Sequence, residues 1–119
     1  MARILLAEDD DSLRRFLALN LHRAGHQVDA FEDGEGAWEA LDASIYDLLL
    51  TDIVMPGLDG IELARRAAEV QPSLKIVFIT GFAAVALAQS SAAPKSAKVL
   101  SKPFHLRDLV SELERMIAA

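Results

Sequence analysis

The chain has 119 residues, 52% of them hydrophobic and 25% charged, which describes one globular domain with a core of its own rather than a disordered segment. A net charge of −6 argues against a phosphate-binding basic face, and hence against nucleic acid as a partner. With no cysteine, disulfides, thiol chemistry and cysteine zinc sites are excluded; with no apolar run of about 18 residues and no signal-like start, the expectation is a cytoplasmic protein without a membrane partner.

In chain order, Ile4–Ala7 reads as a short strand that stops at Glu8-Asp9. Leu13, Phe16, Leu17 and Leu21 follow helical spacing, with Gly25 closing the helix, and Gln27–Phe31 is a second strand. Asp10 and Asp11 read as helix caps. Glu35–Leu41 is a short helix carrying a partly buried Trp38. Asp47–Thr51 is a nearly all-apolar strand, as expected where helices cover both faces, and Thr51 is only a strand residue. Asp59 with Glu62 suggests a capping box for a helix reaching Val70. Lys75–Ile79 is the fourth strand, Phe82–Gln89 an alanine-rich helix, and Val99-Leu100 a short fifth strand. Leu106, Leu109, Val110, Leu113, Met116 and Ile117 give the last helix an apolar stripe.

Five strand–helix units predict an α/β fold, a doubly wound five-stranded parallel sheet with five helices in one domain over residues 1–119. In such sheets ligands bind outside the carboxyl ends of the strands. At those ends stand Glu8 and Asp9, then Asp52, Thr80, and Ser101-Lys102. Converging carboxylates repel one another, and a hard divalent cation such as Mg²⁺ offsets that repulsion with oxygen ligands. Lys102 adds an ammonium and Thr80 a hydroxyl, so the set is equipped to stabilise phosphoryl oxygens. Asp52, central and at its strand's end, is the natural nucleophile, forming an acyl phosphate. His22, His26 and His105 lack metal-ligand spacing and read as solvated side chains.

The acidic pair Glu8-Asp9, Asp52 in DIVMPGLDG, Thr80-Gly81 and Lys102-Pro103, in that order, resemble a response-regulator receiver domain along the whole chain. The resemblance implies a flavodoxin-like receiver fold with strand order 2-1-3-4-5. It implies that Asp52 takes a phosphoryl group from a histidine kinase or histidine phosphotransferase. Mg²⁺ (or Mn²⁺) would be held by Asp9, Asp52 and the Val54 backbone carbonyl, with Glu8 acting partly through water. Thr80 and Lys102 would bind the phosphoryl group, and the Lys102–Pro103 bond would be cis. The protein would then be a phosphoacceptor with self-catalysed phosphotransfer and dephosphorylation, not an enzyme acting on a separate substrate. A haloacid-dehalogenase-type phosphatase would want a second aspartate where Val54 stands. A flavodoxin-type flavin module would not place AEDD against a phosphate.

Two positions depart from the family. Its switch aromatic is replaced by Val99, and the stretch GFAAVALAQ after Thr80 carries no charge. The expectation is that Phe82 repacks on phosphorylation, and that Val85 and Leu87 form an apolar patch for partners. The stretches ITGFAAVALAQ, AKVLSKP and LLLTDIVMPGLDGIELARRA are similar to the CpdR type of single-domain regulator of alphaproteobacteria. That likeness implies a regulated adaptor for a ClpXP-type protease in cell-cycle control. A phosphorelay intermediate that only passes or drains phosphate is the alternative.

Overall fold

A computed structural model describes residues 1–81 and 93–119. Among them are five strands, β1 (Arg3–Ala7), β2 (Gln27–Phe31), β3 (Leu48–Asp52), β4 (Lys75–Thr80) and β5 (Lys98–Ser101). Four helices accompany them: α1 (Asp11–Arg23), α2 (Gly34–Ala43), α3 (Gly60–Val70) and α4 (Leu106–Ala118). The helix expected over Phe82–Gln89 lies outside the described residues. The strands form one parallel sheet in the order β2-β1-β3-β4-β5, as the resemblance implied.

Alternation along each strand divides the core in two, because successive strand residues point to opposite faces. Leu5, Leu49, Ile76 and Phe78 face Ala37, Leu41, Leu63 and Ala67 of α2 and α3. Ile4, Leu6, Leu48, Leu50, Val77 and Ile79 face Leu17 and Leu21 of α1 and Leu109 and Leu113 of α4. Every residue of β3 is buried, which explains its apolar sequence. Each fully buried leucine contributes about 1.5–3 kcal/mol. The strand is therefore a rigid mount for whatever stands at its end.

The helices begin where the sequence signals them. Asp10 caps α1 by accepting the Leu13 N–H at 2.9 Å, and Gly25, at φ 99°, ends it. Asp11 is not a cap; it pairs with Arg14 at 2.6 Å. Asp59 accepts the Glu62 N–H at 2.9 Å, but the capping box is only half made. The Glu62 carboxylate turns to Arg65 and Arg66 instead, whose hydrogen bonds hold it down at about 2.

At the amino edge of the sheet, polar groups tie the chain together. The Arg3 N–H donates to Asp47 Oδ2 at 2.7 Å, and its guanidinium lies 4.6 Å from the Tyr46 ring centroid. The Tyr46 hydroxyl donates to Asp29 at 2.6 Å, and burial with that partner pushes it up to about 12. Gln71 donates to the Leu41 and Ser44 carbonyls and accepts the Tyr46 N–H. His26 corrects the expectation of a solvated side chain. It is 7% exposed, and its Nδ1 accepts the Ala2 N–H at 3.2 Å. His22 and His105 are exposed, as expected.

Candidate functional site

Because all five strands run the same way, their carboxyl ends share one edge. The order reverses between β1 and β3, the position where open α/β sheets bind ligands. Ala7 pairs with Thr51, Asp52 with Ile79, and Thr80 with Ser101, so the residues at these ends stand side by side. Glu8 follows β1 fully buried, Asp52 ends β3 at 7% exposed, and Thr80 ends β4 at 1%. Asp9 is exposed at the mouth. Lys102 follows β5 and reaches across β4. Its Nζ donates to Asp52 Oδ2 at 3.1 Å and to Glu8 Oε1 at 3.3 Å.

Backbone bonds fix these groups. Asp52 Oδ1 accepts the Ile53 N–H at 2.7 Å, and the Thr51 hydroxyl donates to the Asp52 carbonyl at 2.8 Å. The Lys102 N–H donates to the Thr80 carbonyl at 2.7 Å, and the Lys102–Pro103 bond is cis. Glu8 Oε2 accepts the Asp10 N–H at 3.1 Å, while Arg14 donates to the Glu8 carbonyl at 2.9 Å. Burial raises the Glu8 carboxyl to about 7; the Asp10 N–H opposes the rise, the Asp52 charge adds to it, and Lys102 opposes it. Burial pulls the Lys102 ammonium down, but the Asp52 hydrogen bond and the Glu8 charge outweigh it, and the net shift is upward.

Glu8, Asp9 and Asp52 each place a carboxylate oxygen within 4.8 Å of the others. Two charges at that spacing repel by about 3 kcal/mol at an effective dielectric near 20. Three carboxylates against one ammonium leave a deficit of two positive charges when all are ionised. Hard oxygen donors with that deficit fit Mg²⁺ or Mn²⁺.

The response regulator receiver domain family matches residues 4–114. The chain belongs to the response-regulator receiver family. As a receiver domain it is part of two-component signalling. It is 64% identical to the response regulator receiver protein CpdR of Brucella abortus, over 100% of this chain and 99% of that one. The sensor kinase CckA of the same species is 31% identical over 98% of this chain, which spans 12% of the kinase. Among solved structures, the response regulator TrrA of Thermotoga maritima, in complex with Mg²⁺-BeF, matches with a TM-score of 0.85 and 29% identity. That match covers 98% of this chain and 99% of TrrA.

The receiver edge thus gathers Glu8, Asp9, Asp52, Thr80 and Lys102. Val54 lies two residues past Asp52 and is 61% exposed. Val99 sits in β5 opposite Phe78, half-buried against the α2–α3 side of the core. Phe82, Val85 and Leu87 lie outside the described residues. Gly60 also belongs to this edge, and sequence reasoning did not single it out. A Cβ there would stand 1.9 Å from the Asp52 carbonyl oxygen, and its N–H donates to the Ile53 carbonyl at 2.8 Å. The signal was the DG pair so soon after Asp52. Arg14 and Glu35 were missed too, and neither belongs to a local motif.

Proposed function

We propose that this receiver domain is a cytoplasmic response regulator that accepts a phosphoryl group on Asp52 from a phosphohistidine and passes the signal by changing its protein partners. One observation carries the reading: the buried Asp52 carboxylate shares Lys102 with Glu8 at the edge where the strand order reverses. Asp52 Oδ1 accepts the Ile53 amide, and Oδ2, the oxygen beside Lys102, is the one assigned to the attack. The new O–P bond forms as the donor's N–P bond breaks, and the donor imidazole leaves with that electron pair. Lys102 then moves its hydrogen bond from the carboxylate to a phosphoryl oxygen, and the Thr80 hydroxyl donates to another. Asp9, Asp52 and the Val54 carbonyl, with Glu8 behind them, would hold Mg²⁺, which when bound would supply charge neutralisation for the transferring group.

The end-to-end likeness to CpdR supports the adaptor role, with a ClpXP-type protease or its substrates as partners. The likeness to the receiver-bearing kinase CckA favours the second reading, a relay intermediate. The uncharged stretch with Val85 and Leu87 is proposed from sequence as the output surface, with Phe82 as its switch. Acetyl phosphate with Mg²⁺ should add one phosphate to the wild type and none to Asp52→Asn, read by intact-mass spectrometry. Full labelling of Asp52→Asn would refute the assignment. Partners captured with and without beryllofluoride separate the two readings. A protease or its substrates in one state support the adaptor, and phosphotransfer proteins alone support the relay.

A further inference from the structure

The residues from 53 to 59 connect Asp52 to α3, and they include the Val54 carbonyl assigned to the metal. The loop starts tied to Asp52, through Ile53 N–H to Asp52 Oδ1, and Gly60 N–H closes its far end onto the Ile53 carbonyl. Its tip is tied to a different element. Glu35, in the first turn of α2, accepts the Leu58 N–H on Oε1 at 2.8 Å. The bond lies at the surface, but the two backbones that carry it approach closely. A Cβ on Gly57 would stand 2.3 Å from Glu35 Oε1, and one on Gly34 would stand 2.2 Å from the Leu58 carbonyl oxygen. Gly57 takes φ +74°, which glycine adopts without a steric penalty, and the turn there aims the next N–H at α2. Among the described residues, the exposed Glu35 carboxylate has the Leu58 N–H as its hydrogen-bond partner. A carboxylate–amide bond is roughly twice as strong as a neutral one.

We propose that Glu35 is a positioning residue for the metal-binding loop. By holding the Leu58 N–H it fixes the segment 53–59, and with it the Val54 carbonyl, relative to Asp52. Helix α2 becomes a working part of the phosphorylation edge. The proposal rests on the metal reading given above. Partners that orient metal ligands from outside typically change affinity by about tenfold or more when removed.

The test compares Glu35→Ala with Glu35→Gln, which keeps an acceptor oxygen at the same reach. In the metal-free protein, hydrogen exchange at the Leu58 amide should quicken in Glu35→Ala and return toward the wild-type rate in Glu35→Gln. Mg²⁺ affinity, by calorimetry, should fall about tenfold in the first and little in the second. A glutamate that merely stabilised the fold would lower the melting temperature without this split. Wild-type Mg²⁺ affinity in Glu35→Ala, or equal losses in both variants, would overturn the proposal. If Glu35→Ala does not fold, Glu35→Asp, one methylene too short to reach Leu58, is read by the same two measurements. A wild-type protein that binds no Mg²⁺ would sink the metal reading and this proposal together. Tight wild-type binding with an indifferent Glu35→Ala sinks only the latter.

Discussion

Replacing Glu8 by glutamine should stabilise the metal-free protein at alkaline pH and do much less in acid. Glu8 is fully buried, and its carboxyl titrates at about 7 in the folded chain, against 4.5 ordinarily. Between those values the folded state holds a proton that the unfolded state has released, so stability falls as pH rises through the window. At about 1.4 kcal/mol for each pH unit, the wild type should lose about 2 kcal/mol between pH 5.5 and 8.5 through this group alone. Glutamine keeps an oxygen for the Asp10 N–H and carries no charge at any pH. The advantage of Glu8→Gln should therefore grow by about 2 kcal/mol over the same interval. Urea unfolding in a chelating buffer, followed by the fluorescence of Trp38, measures it directly. A pH-independent difference between the two proteins would refute the argument that burial, rather than pairing with Lys102, governs Glu8.

Mg²⁺ bound at this cluster would displace the Glu8 proton, so its affinity should rise by about tenfold from pH 6 to pH 8 and respond weakly to pH in Glu8→Gln, as read by calorimetry. Lys102→Met should leave the fold intact, abolish labelling of Asp52 by acetyl phosphate, and move the Glu8 titration above its wild-type position, visible in the side-chain ¹³C shift; an unmoved titration would mean that the 3.3 Å contact carries no charge coupling. Gly60→Ala should cost about 1–3 kcal/mol in urea unfolding and slow phosphorylation, since its Cβ would stand 1.9 Å from the Asp52 carbonyl; a fully stable, fully active variant would show that the loop yields freely.

The sheet was legible because its strands are short apolar runs broken by turn residues, and burial on both faces left few polar positions to confuse the period. β2 matched to the residue. β3 was shifted by one residue from the expected Asp47–Thr51, to Leu48–Asp52, because Asp52 still pairs with Ile79. The carboxylates, Thr80 and Lys102 could be found because each terminates such a run. What stayed hidden depends on distance along the chain. Glu35 and Leu58 are 23 residues apart, and no local spacing marks a glutamate whose partner is a backbone amide in another loop. Glu62 looked like half of a capping box, but Arg65 and Arg66, on the same helix face, compete for its carboxylate at shorter reach. His26 was misjudged because burial at a strand's start depends on the chain terminus folding over it, which composition does not reveal.

The knot of Arg3, Tyr46, Asp29 and Gln71 occupies the edge of the sheet opposite the carboxylates. The carboxylate cluster stands at one pole and the fastenings at the other, with a five-residue buried strand between them. Changes at the fastened pole can raise or lower the melting temperature while leaving the geometry around Asp52 as it is. Selection on durability and selection on signalling can therefore act on separate residues, so that thermal adaptation of such a regulator need not retune the lifetime of its signal.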